Sequence, residues 1–300
     1  MGRDKMKKTG VFYHDVCGKE AYSTLAMGVE EGFESLEREN LFSYPNVILY
    51  ESKPIDEKEI SKVHTENWIS YVKGTQWWEV SLYSMGGVVQ AIEELFRGKI
   101  DNALVFGGVG GHHAHRDNAW GGCYFNDSMI GINYAREKFG VKRIAIIDTD
   151  THHGDGTRSI SIDDEDILHI CFCGGQFGDW NFEEKIEDET KLCFSHGFSD
   201  EKEIENVRKE VPSRVRDFKP ELIFWVLGLD THKASYGTAA LTERCYPKLA
   251  EMIKETADQV CDGKLIVKTA CNAPGWVTGY VMPRIVDSLA ELSKYEEPFV

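Results

Sequence analysis

Strand-length runs that are apolar along nearly their whole length recur down this chain, separated by helix-patterned stretches. NALVFGG (102–108), RIAIIDTD (143–150), DILHICFC (166–173), ELIFWVLGLD (221–230) and KLIVKTA (264–270) lack the polar alternation of a strand with one wet face. Such strands are buried on both faces, which calls for a parallel sheet sandwiched between helices. TGVFYH (9–14) and NVILY (46–50) extend the set, and helices are predicted at 23–38, 86–99, 127–138, 201–217, 242–260 and 283–295. The expectation is a single three-layer α/β domain over 1–300, with a mainly parallel central sheet and helices on both faces. Ligands gather at the carboxyl ends of the strands in such sheets. Polar clusters at 107–127, 148–155, 228–232 and 268–280 each follow a strand directly, so one site built from four loops is the economical inference.

Composition narrows the partners. A formal net charge of −16 argues against a broad nucleic-acid footprint and against an anionic membrane surface. It would suit cationic substrates, although an ordinary acidic soluble protein explains it as simply. Eight cysteines have no secreted-framework spacing, and neither a signal peptide nor an 18-residue apolar run appears, which reads as a cytoplasmic protein with reduced thiols. Cys171 and Cys173 share one face of a strand and read as core or pocket lining.

The stretch IIDTDTHHGDGT (146–157) carries three aspartates and two histidines directly behind a β-branched run. Asp150 and His152, two apart past a strand end, can present both side chains to one side. With Asp230 at the end of FWVLGLD they would make an Asp-His-Asp metal site with an open position, the layout of a catalytic site. Zinc fits this set best, and Fe(II), Co(II) or Mn(II) also suit it. His112 and His113, adjacent in GGVGGHHAHRDNAWGGCYFND (107–127), could supply base and acid. Asp148 and Asp155 are available to orient their far nitrogens.

GGHHA…GGCYFND, DTDTHHGDG and LGLDTH together resemble the histone deacetylase, acetoin-utilisation and acetylpolyamine amidohydrolase family, most strongly over 86–175 and 221–232. The resemblance implies the arginase/deacetylase fold. It implies Asp150, His152 and Asp230 as metal ligands, and His112 and His113 as the tandem histidines, with Asp148 and Asp155 as their carboxylate partners. It also implies a K+ site on the backbone around Asp148 to His152, with Cys171 standing where a serine ligand is common.

The chain departs from that family at the substrate side. KLIVKTACNAPGWVTGY replaces the usual GGGY segment, whose tyrosine stabilises the tetrahedral oxyanion. Depending on the gap, Asn272, Trp276 or Tyr280 takes the position. Gly122 replaces an aromatic of the acyl-lysine channel, and CGGQFGDWNF (173–182) replaces the second wall. Candidates for substrate contact are Gly121, Gly122, Trp180, Asn272 and Trp276, with Trp120 and Phe177 as further aromatics for a reshaped pocket. His232 reads as a loop hydrogen-bonder.

Three readings follow. The first is a zinc-dependent amidohydrolase acting on a small acylated amine. The second is a lyase- or hydratase-type enzyme using Lys268, Thr269, Cys271 or Asn272, and the third a silent metal- or acyl-binding protein. A small-molecule partner is expected, with no nucleic acid and no membrane, and a homo-oligomer is left open.

Overall fold

Every strand pairing in the computed structural model is parallel, as two-faced burial demands. The structure describes residues 6–26, 28–173, 188–237 and 239–295. The strands are β1 (Thr9–Tyr13), β2 (Val47–Glu51), β3 (Asn102–Val105), β4 (Ile144–Asp148), β5 (Ile167–Phe172), β6 (Lys191–Phe194), β7 (Leu222–Gly228) and β8 (Leu265–Cys271). They form one sheet in the order β2-β1-β3-β8-β7-β4-β5-β6. The last strand in sequence therefore lies in the middle of the sheet.

Alternate residues of each central strand feed two different cores. On β4, Ala145 and Ile147 join Trp225, Leu249 and Val281 on one side, while Ile144 and Ile146 join Phe224, Ile92 and Ile132 on the other. The helices Asp200–Phe218, Cys245–Cys261 and Gly275–Ala290 cover the first face, and Trp78–Phe96 and Asp127–Phe139 the second. This is the three-layer α/β architecture expected from the sequence. Among the described residues no helix is long and apolar enough to cross a membrane.

The boundaries differ where glycine and proline were read as ends. The helix expected at 86–99 runs over Trp78–Phe96, with Gly86 and Gly87 in its interior. A Cβ at Gly86 would stand 1.7 Å from the Lys53 carbonyl oxygen, so this glycine marks a chain crossing. The helix expected at 283–295 spans Gly275–Ala290: Pro274 precedes it and Pro283 lies inside. The 23–38 helix divides into Ser23–Ala26 and Val29–Arg38. Strand β6 and the helices Glu66–Lys73 and Asp155–Ser161 were not foreseen, because each is too short to show a full period.

One buried ion pair ties the loop after β3 to the middle strand. Lys268 on β8 and Asp127, each 1% exposed, meet as a salt bridge. Lys268 is thereby committed to structure. Removing one partner of such a pair strands a buried charge. Lys268→Met is expected to cost about 3–5 kcal/mol in denaturant unfolding, and Lys268→Met with Asp127→Leu distinctly less.

Candidate metal centre and active site

The carboxyl ends of β4 and β7 lie side by side, with Asp148 registered on Val226. Past them the chain turns so that Asp150, His152 and Asp230 converge, their ligand atoms within 4.8 Å of one another. His152 Nδ1 stands 3.0 Å from Asp150 Oδ1 and 3.0 Å from Asp230 Oδ2. Local hydrogen bonds set this shape: the Asp150 amide donates to Asp148 Oδ1, the His152 amide to Asp150 Oδ1, and the Thr151 amide to Asp230 Oδ1.

Two carboxylates with no exposure need a cation beside them. Asp150 Oδ2 is buried without a hydrogen bond, and Asp230 Oδ2 meets the His152 ring at 3.0 Å. Burial works against charging His152, yet the hydrogen bonds and charges of these two aspartates raise it to about 11. Burial and the neighbouring Asp150 charge, in turn, push Asp230 up. The potential that holds a proton so firmly on His152 would equally hold a divalent ion, which would take the proton's place. An imidazole and two carboxylates fit zinc, iron, cobalt or manganese.

The tandem histidines face this triad, each held by a different carboxylate. His112 Nδ1 lies 2.9 Å from Asp148 Oδ2, and its Nε2 lies 3.7 Å from Asp150 Oδ1. His113 Nδ1 lies 2.7 Å from Asp155 Oδ1. The two rings diverge in charge preference. Burial opposes protonation of both; for His112 the Asp148 and Asp150 charges prevail and raise it to about 9. For His113 burial, reinforced by the His112 charge, prevails over Asp155 and lowers it to about 4. Neighbouring titratable groups pushed apart in this way are a mark of acid–base sites.

Behind Asp148 stands more cationic structure. His169 Nε2 is 3.9 Å away, and its Nδ1 accepts a hydrogen bond from Arg158, a guanidinium only 3% exposed. His169 and Cys171 accompany Asp148 as a second potential ligand group near the K+ position that the resemblance implied.

The substrate side is rebuilt from other loops. Trp120 stacks on His113 with ring centroids 3.6 Å apart and donates its indole N–H to Asp155 Oδ2. It is 41% exposed, so it is a wall of the site and not core packing. Gly121 is exposed at the rim, and Gly122 is buried with φ +79°. A Cβ at Gly122 would stand 2.3 Å from the Tyr22 ring, so an aromatic from the N-terminal segment occupies that ground. Trp180 and Phe177 lie outside the described residues.

The position opposite, where a hydroxyl was missing, is met by a residue the sequence reading passed over. Tyr236 stacks on His152 with ring centroids 6.0 Å apart. Its loop is anchored by Gly237, whose amide donates to the Asp230 carbonyl and whose carbonyl accepts from Thr151. The available signal was position: Tyr236 follows six residues after a ligand at a strand end.

The three earlier candidates are placed otherwise. Asn272 is buried with its amide donating to the Leu25 carbonyl. Trp276 is 58% exposed and edge-on to His232, and Tyr280 packs under Arg284. His232 is a loop hydrogen-bonder, bonded to the Ala234 amide and Glu243. Thr269 accepts from the Gly107 amide, so Lys268, Thr269 and Asn272 are structural, and the strand read at 264–270 spans Leu265–Cys271.

Comparisons with known proteins bear on the family and the fold. A family profile described as "Histone deacetylase domain" matches residues 74–270. The chain is similar to a "Probable deacetylase" of Archaeoglobus fulgidus, 26% identical over 285 residues, covering 86% of this chain and 79% of that one. It is also similar to a "Histone deacetylase-like amidohydrolase" of Pseudomonas aeruginosa, 24% identical over 73% of this chain and 64% of the relative. The crystal structure of the HDA15 HD domain superposes with a TM-score of 0.82 over 96% of this chain and 90% of that chain; at 19% identity this speaks for the fold alone.

The loop bearing both histidines depends on one further imidazole. His64 Nε2 accepts from the amide of Asn126, whose side chain caps Asp127–Phe139 and bonds Ala114 and Thr157. Burial lowers His64 to about 4 from 6.5. The unfolded chain thus takes up this proton first as pH falls. Stability from a neutral His64 is complete above about pH 6.5 and declines toward pH 4, by on the order of 3 kcal/mol. Denaturation at stepped pH should show that decline flattened in His64→Gln.

Proposed function

The chain belongs to the histone deacetylase domain family, a family of hydrolases acting on acyl amides, and from that premise we propose that it is a zinc-dependent amidohydrolase for a small acylated amine. The observation that carries this reading is the convergence of Asp150, His152 and Asp230 with two separate His–Asp pairs, because a mere binder has no need of the pairs.

Asp150, His152 and Asp230 would hold the ion. When bound, it supplies Lewis-acid polarisation of the scissile carbonyl and acidifies water. Everything else falls to the chain. Asp155 fixes the His113 tautomer, leaving Nε2 to accept a proton from the attacking water and return it to the departing amine nitrogen. The sum is addition of water across the C–N bond, giving carboxylate and ammonium, with both protons of the water ending on the amine nitrogen. His112, charged against Asp148, balances negative charge as it grows on the carbonyl oxygen. Tyr236 takes the role of phenolic donor to that oxygen.

The preference for a small substrate rests on the replaced channel. Gly122 leaves the wall position to the Tyr22 ring, and Trp120 and Tyr236 flank His152. Two aromatic faces suit a short acyl group or a compact cationic amine.

The test is turnover by zinc-loaded protein on acetyl-lysine peptide, acetylpolyamines and small N-acyl amines. Hydrolysis confined to the small amides is expected. Asp230→Ala should lose both the zinc and the activity. His113→Ala should lose about 10²–10⁴ in kcat, and Tyr236→Phe about 10²–10³. Trp120→Ala should raise KM more than it lowers kcat. Zinc-loaded protein inert across the whole panel would overturn the reading.

A further inference from the structure

We propose a second metal site, of sulfur and imidazole ligands, formed by His153, Cys173 and Cys193. It lies on the other side of the His152–His153 pair from the Asp-His-Asp triad, where β5 and β6 end.

The register of the two strands assembles it. Cys171 on β5 pairs directly with Cys193 on β6, and Cys173, two residues on, shares the face of Cys171. Cys173 and Cys193 thus meet at the ends of the two strands. Above them His153 Nδ1 is 3.6 Å from Cys173 Sγ and 3.6 Å from Cys193 Sγ. One imidazole nitrogen carries at most one proton, so it cannot donate to two sulfurs at once. A tetrahedral centre with metal–sulfur bonds of about 2.3 Å and metal–nitrogen bonds of about 2.0–2.1 Å separates sulfur from nitrogen by about 3.6 Å. Both observed separations match it.

The charge balance points the same way. Arg158 is buried, and among the described residues its hydrogen-bond partners are His169 Nδ1, the Leu192 carbonyl and Cys193 Sγ, none of them a carboxylate. Two thiolates, a neutral imidazole and a divalent ion carry no net charge, and the guanidinium that donates to Cys193 Sγ favours the thiolate a metal needs. The donors select a soft or borderline ion, zinc above the oxygen-seeking metals. It would clamp the short edge strand β6 and the end of β5 to the loop that carries His152.

Cobalt(II) titration of the whole, reduced, metal-stripped protein tests this directly, because only sulfur ligation gives an intense near-ultraviolet charge-transfer band. The band is expected in wild type and, undiminished, in Asp230→Ala, where the first site is disabled. It should be lost in Cys193→Ser and in Cys173→Ser. Zinc should bind as two equivalents in wild type and one in Asp230→Ala, shielding thiols from a thiol reagent in both. No band in Asp230→Ala, a band that survives Cys193→Ser, or thiols equally reactive with and without zinc would each overturn the proposal. Because Asp230→Ala isolates this site, its outcome is independent of whether the protein hydrolyses any amide.

Discussion

Four carboxylates drawn out of water at one edge of a sheet are the constraint around which this molecule is arranged. Asp148, Asp150 and Asp230 have no exposure and Asp127 only 1%. A carboxylate in that position is tolerable only beside positive charge. Asp127 meets Lys268 and Asp148 meets His112, while Asp150 and Asp230 share His152 and the place beside it where an ion would sit. Each partner comes from a different segment, so satisfying the charges also fixes the loops. The same electrostatic demand that assembles the site therefore holds its geometry rigid.

Much of this was legible in the residues. Uninterrupted apolar strands dictated the parallel sheet, and the acidic and imidazole residues past their ends marked the site. Aspartates and histidines two apart at a strand end converge because the backbone geometry there is nearly fixed, and the approach of His112 to Asp148 followed from strands ending together. What could not be read was contact between segments distant in sequence. Gly86 looks like a helix end until Lys53 is seen crossing it, and Gly122 looks like an empty wall until Tyr22 is seen against it. Tyr236 escaped notice because a search for a lost tyrosine was confined to the segment after β8, whereas the loop after β7 also faces the ligands. The four-residue β6 carries no periodicity, and with it the meeting of Cys171 and Cys193 was hidden.

The substrate side shows how one function of a site is separable from another. The acidic and imidazole groups sit on strand ends and allow little variation. The aromatic faces come from loops: Trp120 after β3, Tyr22 near the amino terminus, Tyr236 after β7. Asp155 joins the two layers, because its carboxylate holds His113 through one oxygen and Trp120 through the other. A change in the wall is therefore felt by the proton-transfer group as well as by the substrate.

The position of β8 has a consequence in time. Strands β2, β1 and β3 form one half of the sheet and β7, β4, β5 and β6 the other, and β8 alone joins them. The tandem histidines follow the first half, and all three ligands of the Asp-His-Asp triad follow the second. The halves share no strand pairing except through residues 265–271, and the pairing of β3 with β8 is among the most non-local in the chain. The strand framework that sets the tandem histidines against the triad is therefore complete only when the last strand has paired on both of its edges.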